Sequence, residues 1–436
     1  MKNESLYQNN LINILSYFLV LLPIFLISGP FLSDLTVSIL AISSFFFLRN
    51  KKYYNNYFFI IFILFWILIL ISSILSETKI LSLKSSFFYF RFCFFSLFIW
   101  WILEKNKNIL KKIYLVLFFS FLLIIFDSIF QYFNGSNILN MKIVHSDRIS
   151  SFFGDELKMG GFMMRLFPLL MALSFFFFKK KHEKYVFLWI IFIIFVQLTI
   201  FLSGERTSFF LFNISIILFI ILLNNFNKSR ISLLLIYLIA ILTLFAIESP
   251  FKKRILNLTI NQIQIDQSGK PKYIFSQQYH EHYLSAWEIF KDNKLLGTGP
   301  KSFREICKKK EYNFSSLTCS THPHNIPLQL LSETGIFGFI IYLILNIIIC
   351  FNLFKNLFSK LFYDKEYLNN FQISLLINIL ILIWPLSPNG NFFNNWLSII
   401  IYFPVGILLW ELRKSKKMYP KSIKKKHFLS KFYFTN

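Results

Sequence analysis

The sequence predicts an all-α, polytopic helical membrane protein, and three observations carry that prediction. Hydrophobic residues make up 56% of the 436-residue chain and charged residues only 15%, against roughly 25% charged in ordinary soluble domains. Mean hydropathy is +0.57. Uncharged apolar runs recur, and one of them, Tyr57–Leu75, would cover about 28 Å as a helix, close to the ~30 Å of a bilayer's hydrocarbon layer. A soluble globular protein and a disordered one are both excluded. The 59 Phe residues, with abundant Ile, Lys and Asn, fit a bias toward A/T-rich codons. Neither the aromatic content nor the net charge of +25 therefore points to nucleic acid.

About twelve transmembrane helices are expected, at 11–28, 31–48, 57–75, 85–103, 113–133, 162–178, 185–202, 208–223, 231–247, 335–354, 371–385 and 395–411. The first follows a short head with one Lys and one Glu and ends without a small-x-small cleavage site, so it reads as an uncleaved span. The eleventh is short and carries Gln372, Ser374 and Asn378. Basic connections alternate with neutral ones. The stretches 49–56, 104–112, 179–184, 224–230, 355–370 and the tail, with Lys2, hold 26 Lys and Arg, against 6 in the short connections on the other side. The positive-inside rule then places both termini in the cytoplasm.

The 87 residues of 248–334 form the one large connection, between helices 9 and 10, and this topology puts them in the periplasm. Long translocated loops escape the charge rule, so their 12 Lys and Arg do not oppose it. The expected layout is helices 1–9 over 1–247, the large loop over 248–334, helices 10–12 over 335–411 and a basic cytoplasmic tail over 412–436. Within the spans, Arg91, Asp127 and Arg165 should face the bundle interior, with Asp127–Arg91 and Asp127–Arg165 as the two pairings to consider.

Four of the seven histidines fall in the large loop, as His280-Glu281-His282 and His322-Pro323-His324. On extended backbone, residues two apart face the same way, so each pair could chelate a metal. No Cys or carboxylate cluster completes a ligand spacing, so no metal is expected and the histidines read as orienting or packing groups. After His324, Asn325 can cap a short helix, Pro327 suits its first turn, and Gly335 ends it or re-aims the chain into the bilayer.

The stretch His324-Asn325, nine residues, then Gly335-Ile-Phe-Gly338 resembles the signature of the O-antigen ligase/polymerase family of bacterial membrane glycosyltransferases. Gly297-Thr-Gly299-Pro-Lys-Ser-Phe303 is similar to that family's loop element ahead of the His. Ser203-Gly-Glu-Arg206-Thr207 resembles its arginine-bearing connection, and Arg148-Ile-Ser-Ser-Phe-Phe-Gly154 with Gly161 resembles its segment before the sixth span. The family often has an arginine shortly before the loop tryptophan, here Trp287. This chain has His280 and His282 there and no Arg between Arg254 and Arg304, leaving Lys291, Lys294, Arg304 or a histidine for that phosphate contact.

The resemblance implies an inner-membrane enzyme of lipopolysaccharide biosynthesis. It would move a glycan from an undecaprenyl-diphosphate carrier to an acceptor hydroxyl, lipid A–core above all, at the periplasmic membrane face, with no cofactor or metal. Its alternatives are an O-antigen polymerase or a protein O-oligosaccharyltransferase, which share the donor and differ in the acceptor. A secondary transporter is the competitor from another class, but transporters gather polar chemistry at the midplane and often show repeats. The expected catalytic residues are Arg206, whose guanidinium suits the leaving diphosphate, and His324, which suits the acceptor hydroxyl. Arg148, His322, Asn325, His282, Arg304 and Glu333 are expected to bind substrate. Cys307 and Cys319 are expected to form a disulfide in an oxidising periplasm, while Cys93 and Cys350 read as packing residues.

Overall fold

A computed structural model describes residues 2–178, 185–224, 227–262, 273 and 276–418. The basic connection at 179–184, part of that at 224–230, and the tail beyond 418 lie outside the described residues. Among the described residues the regular structure is helical, apart from the isolated bridges Ser136–Lys142 and His145–Arg148. The helices run α1 (Lys2–Ser28), α2 (Pro30–Phe47), α3 (Tyr57–Leu75), α4 (Lys79–Ser86), α5 (Arg91–Lys105), α6 (Ile109–Asn134), α7 (Met159–Phe177), α8 (Val186–Leu202) and α9 (Arg206–Leu222). They continue as α10 (Asn227–Ala246), α11 (Pro250–Lys252), α12 (Leu258–Gln262), α13 (Gln277–Asp292), α14 (Phe303–Ile306), α15 (Ile326–Tyr363), α16 (Asn370–Leu382) and α17 (Asn395–Met418).

Local chemistry sets their ends. α3 begins where Asn56 Oδ1 accepts the Phe59 N–H at 2.9 Å, and α13 where Ser276 Oγ accepts the Tyr279 N–H at 3.2 Å. α6 stops at Gly135, in the left-handed region at φ 75°.

Every expected apolar run falls on helix, yet only eight described helices are both long and apolar enough to cross a bilayer. The count is nine if Ile231–Ala246 and Pro250–Gln262, bent by 102°, form one broken span. α8, α9 and α16 are apolar but have 17, 17 and 13 residues, which is about 26, 26 and 20 Å against a layer of ~30 Å. α16 ends three residues ahead of Pro385, whose ring disfavours helical backbone in the residue before it.

The chain divides into two compact units, one of Met1–Thr36, Lys105–Ile260 and Leu353–Leu382, the other of Val37–Glu104, Asn261–Asn352 and Ile383–Asn436. In the first, α7 is buried along most of its length and packs on α6, α8, α9 and α16. Phe167 meets Phe212 there with ring centroids 4.9 Å apart. The pairing considered for Asp127 is corrected: its carboxylate accepts the Ile138 N–H at 2.9 Å and the Ser151 hydroxyl, not an arginine. The 136–151 turn brings both donors to a fully buried carboxylate without desolvating a second charge.

In the second unit, Phe62, Tyr89, Phe92 and Tyr402 form an aromatic stack, with Phe62 and Tyr89 centroids 5.9 Å apart. A separate small core joins α13 to α14 through Ala286, Ile289, Phe303 and Ile306, with Cys307 and Tyr312. This core gives the segment from α13 to the disulfide its own apolar anchor.

Candidate functional site

The second unit builds its candidate site around a break in α15. Gly335 has φ 66° and ψ −167°, so the helix is interrupted there. A Cβ at Gly335 would run into the Leu295 carbonyl. Backbone groups freed at the break are met by the strip 294–299. Thr298 N–H donates to the Ser332 carbonyl at 2.9 Å, Gly299 N–H to the Glu333 carbonyl at 2.8 Å, and Ile336 N–H to the Lys294 carbonyl at 2.8 Å. Ser72 Oγ donates to the Leu296 and Glu333 carbonyls. These carbonyls and amides at the buried break are thus paired.

Glu333 and Asn325 hold this frame. Glu333 is fully buried and accepts the Phe303 N–H at 3.2 Å and the Gln329 amide at 2.9 Å. Gln329 also reaches Asn391 Oδ1 and accepts the Phe392 N–H, both at 2.9 Å. Asn325 caps α15 by accepting the Leu328 N–H at 3.1 Å, and donates to the Pro385 carbonyl at 3.1 Å. Sequence reading did not pick out Gln329, Asn389 or Asn391. The signal available was the uncharged, Asn-rich stretch 386–394, where amides recur between apolar runs.

His322, His324 and His282 converge. Ring centroids of His322 and His324 are 4.0 Å apart, and those of His282 and His324 are 5.4 Å apart, nearly parallel at 22°. Tyr279 lies 5.4 Å from His324. His324 has a left-handed φ of 59°, held by the Asn389 N–H donating to its carbonyl at 2.7 Å. The Asn389 carbonyl in turn accepts from His322 Nε2 at 3.2 Å, leaving His322 Nδ1 to accept from Thr321 Oγ1 at 2.9 Å. That pattern assigns His322 as the neutral Nε2–H tautomer. His324 Nε2 pairs with Ser320 Oγ at 3.1 Å.

Burial first, and the His324 ring second, push the pKa of His322 down to about 3. Burial and His282 bring His324 down to about 4, and burial lowers His282 as well. All three are uncharged at neutral pH. His282 is 0% exposed, and neither of its ring nitrogens makes a hydrogen bond of normal geometry among the described residues. The Arg304 Nε is also buried without a partner, and its charge acts on His322.

The extended reading of His280-Glu281-His282 is corrected, because all three sit in the first turns of α13 behind the Ser276 cap. Helical residues two apart face different ways. His282 turns inward, His280 packs 5.7 Å from Tyr273, and Glu281 accepts from Ser315 and Thr318. Despite burial, which raises it, those hydrogen bonds hold the Glu281 pKa below its ordinary value. Among the described residues no group of three or more His, Cys, Asp or Glu is arranged for a metal. Both nitrogens of His322 are already engaged. Cys307 and Cys319 are paired, with Cα atoms 5.4 Å apart, just ahead in the chain of the segment that carries His322 and His324.

The first unit holds Arg148 and Arg206. Arg148 Nε donates to the Ser203 carbonyl at 3.4 Å and Nη2 to the Leu157 carbonyl at 3.3 Å. Arg254 crosses the same connection, donating to the Gly204 carbonyl at 3.0 Å and pairing with Asp147 at 2.8 Å. Arg206 opens α9. Its neighbour Glu205 accepts the Gly160 N–H at 2.8 Å and the Ser208 hydroxyl at 2.9 Å, and feels the charges of Arg148 and Arg165. Burial raises the Glu205 pKa, with those partners opposing it. Four arginines and two carboxylates therefore gather around 203–206. Sequence reading took Arg148 and Arg206 from this group for the site and Arg165 only as a charge facing the bundle interior. Glu205 was legible as the one acid in an apolar stretch, but its partners Gly160 and Arg165 come from another helix.

Residues 187–343 match the family model described as O-antigen ligase. Among curated proteins none matches the chain. The matched region begins in α8 and ends within α15, and so contains Arg206, the convergent histidines, the disulfide and the break at Gly335. Over that region the chain is similar to the O-antigen ligase family, whose members are glycosyltransferase-like enzymes, and its described helices, eight of them long and apolar enough to cross a bilayer, suit a multi-pass membrane protein.

Proposed function

We propose that the protein transfers a glycan from an undecaprenyl-diphosphate carrier to an acceptor hydroxyl, that of lipid A–core, at the periplasmic face of the inner membrane. In this reading twelve helices span the bilayer, both termini are cytoplasmic and 248–334 is the periplasmic loop. The observation that carries it is the cluster of uncharged imidazoles at His324, set at the start of the helix that breaks at Gly335, inside the matched family region.

The acceptor oxygen attacks the anomeric carbon as the bond to the carrier diphosphate breaks. The acceptor proton passes to the His324 imidazole, and the electron pair of the broken bond stays on the diphosphate. Charge growing on that leaving group is met by Arg206 and Arg148, whose guanidinium groups stay cationic at any working pH. His282 and Arg304, whose buried ring and Nε nitrogens make no hydrogen bond of normal geometry among the described residues, are substrate contacts. His322, Asn325 and Glu333 keep the site in shape, since their polar atoms are engaged with the surrounding chain. The Cys307–Cys319 disulfide fixes the loop ahead of His324. No metal enters this scheme.

Reconstitution with purified lipid-linked glycan tests it. Transfer to lipid A–core that survives a chelator and is lost in Arg206→Ala and His324→Ala is the expected result. Turnover retained in both variants overturns the site. Extension of the carrier-bound glycan, or transfer to a protein hydroxyl with none to lipid A–core, overturns the acceptor.

A further inference from the structure

An apolar groove of about 740 Å³ runs along the first unit, outside the residues described above. Its walls include Tyr114, Phe118, Leu122 and Ile125 of α6 and Trp189 and Phe192 of α8. Positions 111, 114, 118, 122 and 125 recur at spacings of three and four, so Lys111 heads the face of α6 that lines the groove. Lys111 is exposed, and next to it Lys112 stands 4.8 Å from the Tyr17 ring. Phe178 and Tyr185 also border the groove. The groove is apolar along its length, and the face that forms it is headed by positive charge. From Tyr114 to Ile129, another lining residue, α6 rises about 22 Å, enough for a lipid tail to cross the ~15 Å of one leaflet.

We infer that this groove binds an anionic glycerophospholipid, with an acyl tail along α6 and α8 and the phosphate at Lys111. Lipid tails surround the protein on all sides, so the apolar wall alone gives little preference among lipids. The preference comes from the head group, where a lysine beside an anionic phosphate is worth about fivefold in occupancy. The aromatic lining near the charged end suits the interface, where Tyr and Trp rings gather.

The full chain is placed in nanodiscs of equal phosphatidylglycerol and phosphatidylcholine with identical tails, and lipids that remain after detergent extraction are counted by mass spectrometry of the intact protein. Phosphatidylglycerol should be retained about fivefold over phosphatidylcholine. Lys111→Ala should bring the ratio near parity, and Lys111→Arg should keep it. Leu122→Trp, which fills the groove from a position already exposed, should lower total retained lipid and leave the ratio alone. Circular dichroism checks that the variants keep their helix content. Equal retention of both lipids by the unaltered chain overturns the inference, as does a ratio unmoved in Lys111→Ala. Preferential retention of an added polyprenyl phosphate over phosphatidylglycerol assigns the groove to an isoprenoid and overturns it too.

Discussion

Acid should destabilise this protein through two histidines, by an amount the structure sets. His322 and His324 sit near pKa 3 and 4 in the folded chain, against an unfolded value near 6.5. A depressed folded pKa gives stability that is present above the unfolded value and lost as pH falls toward the folded one, because only the unfolded chain takes up the proton in that window. Moving from about pH 7.5 to about pH 5 crosses about 1.5 units of it. At about 1.36 kcal/mol per unit, each ring then loses about 2 kcal/mol, and the pair about 4 kcal/mol. The result does not depend on the folded values as long as both stay below about 5. Thermal unfolding of the detergent-solubilised chain measures it, comparing the unaltered protein with the double variant His322→Gln, His324→Asn across that range. Other titrating groups cancel in the comparison. The unaltered chain should lose markedly more stability than the variant on acidification. Parallel slopes would falsify the claim that these rings are buried uncharged.

Three further outcomes follow from the geometry. Gly335→Ala should cost more than the ~1–3 kcal/mol of a disallowed backbone conformation, since its Cβ also meets the Leu295 carbonyl; a melting temperature unchanged from the parent refutes the break as described. Cys307→Ser should raise the free-thiol count of the denatured chain from two to three, because only Cys93 and Cys350 are unpaired now; an unchanged count removes the bridge. Glu205→Gln should cost about 1–3 kcal/mol in thermal stability, because it removes the buried charge that takes the Gly160 N–H and Ser208 hydroxyl and faces Arg148 and Arg165; no loss on the melt means that these contacts carry no weight.

Apolar runs made the helices legible. Nothing but chain chemistry is needed to see that Tyr57–Leu75 is helical, and the Asn56 cap is plain beside it. Length was harder to read, because where α16 stops depends on Pro385 and where α15 breaks depends on Gly335 meeting a strip some forty residues earlier. The site was legible residue by residue but not as a set. His322 and His324 stood out by type, yet His282 joins them only because Ser276 starts a helix, which turns His280 away. Asp127 looked like half of an ion pair, since a sequence scan weighs charges and overlooks a backbone N–H that a turn delivers.

The break in α15 also decides where this chain tolerates additions. Between 294 and 299 the backbone serves as the missing edge of the interrupted helix, so an epitope tag inserted there would strand amide groups that have no solvent to turn to. At Lys310 and Glu311 the side chains face outward and the neighbouring disulfide already closes the loop, so a tag between them should report membrane sidedness without disturbing the fold.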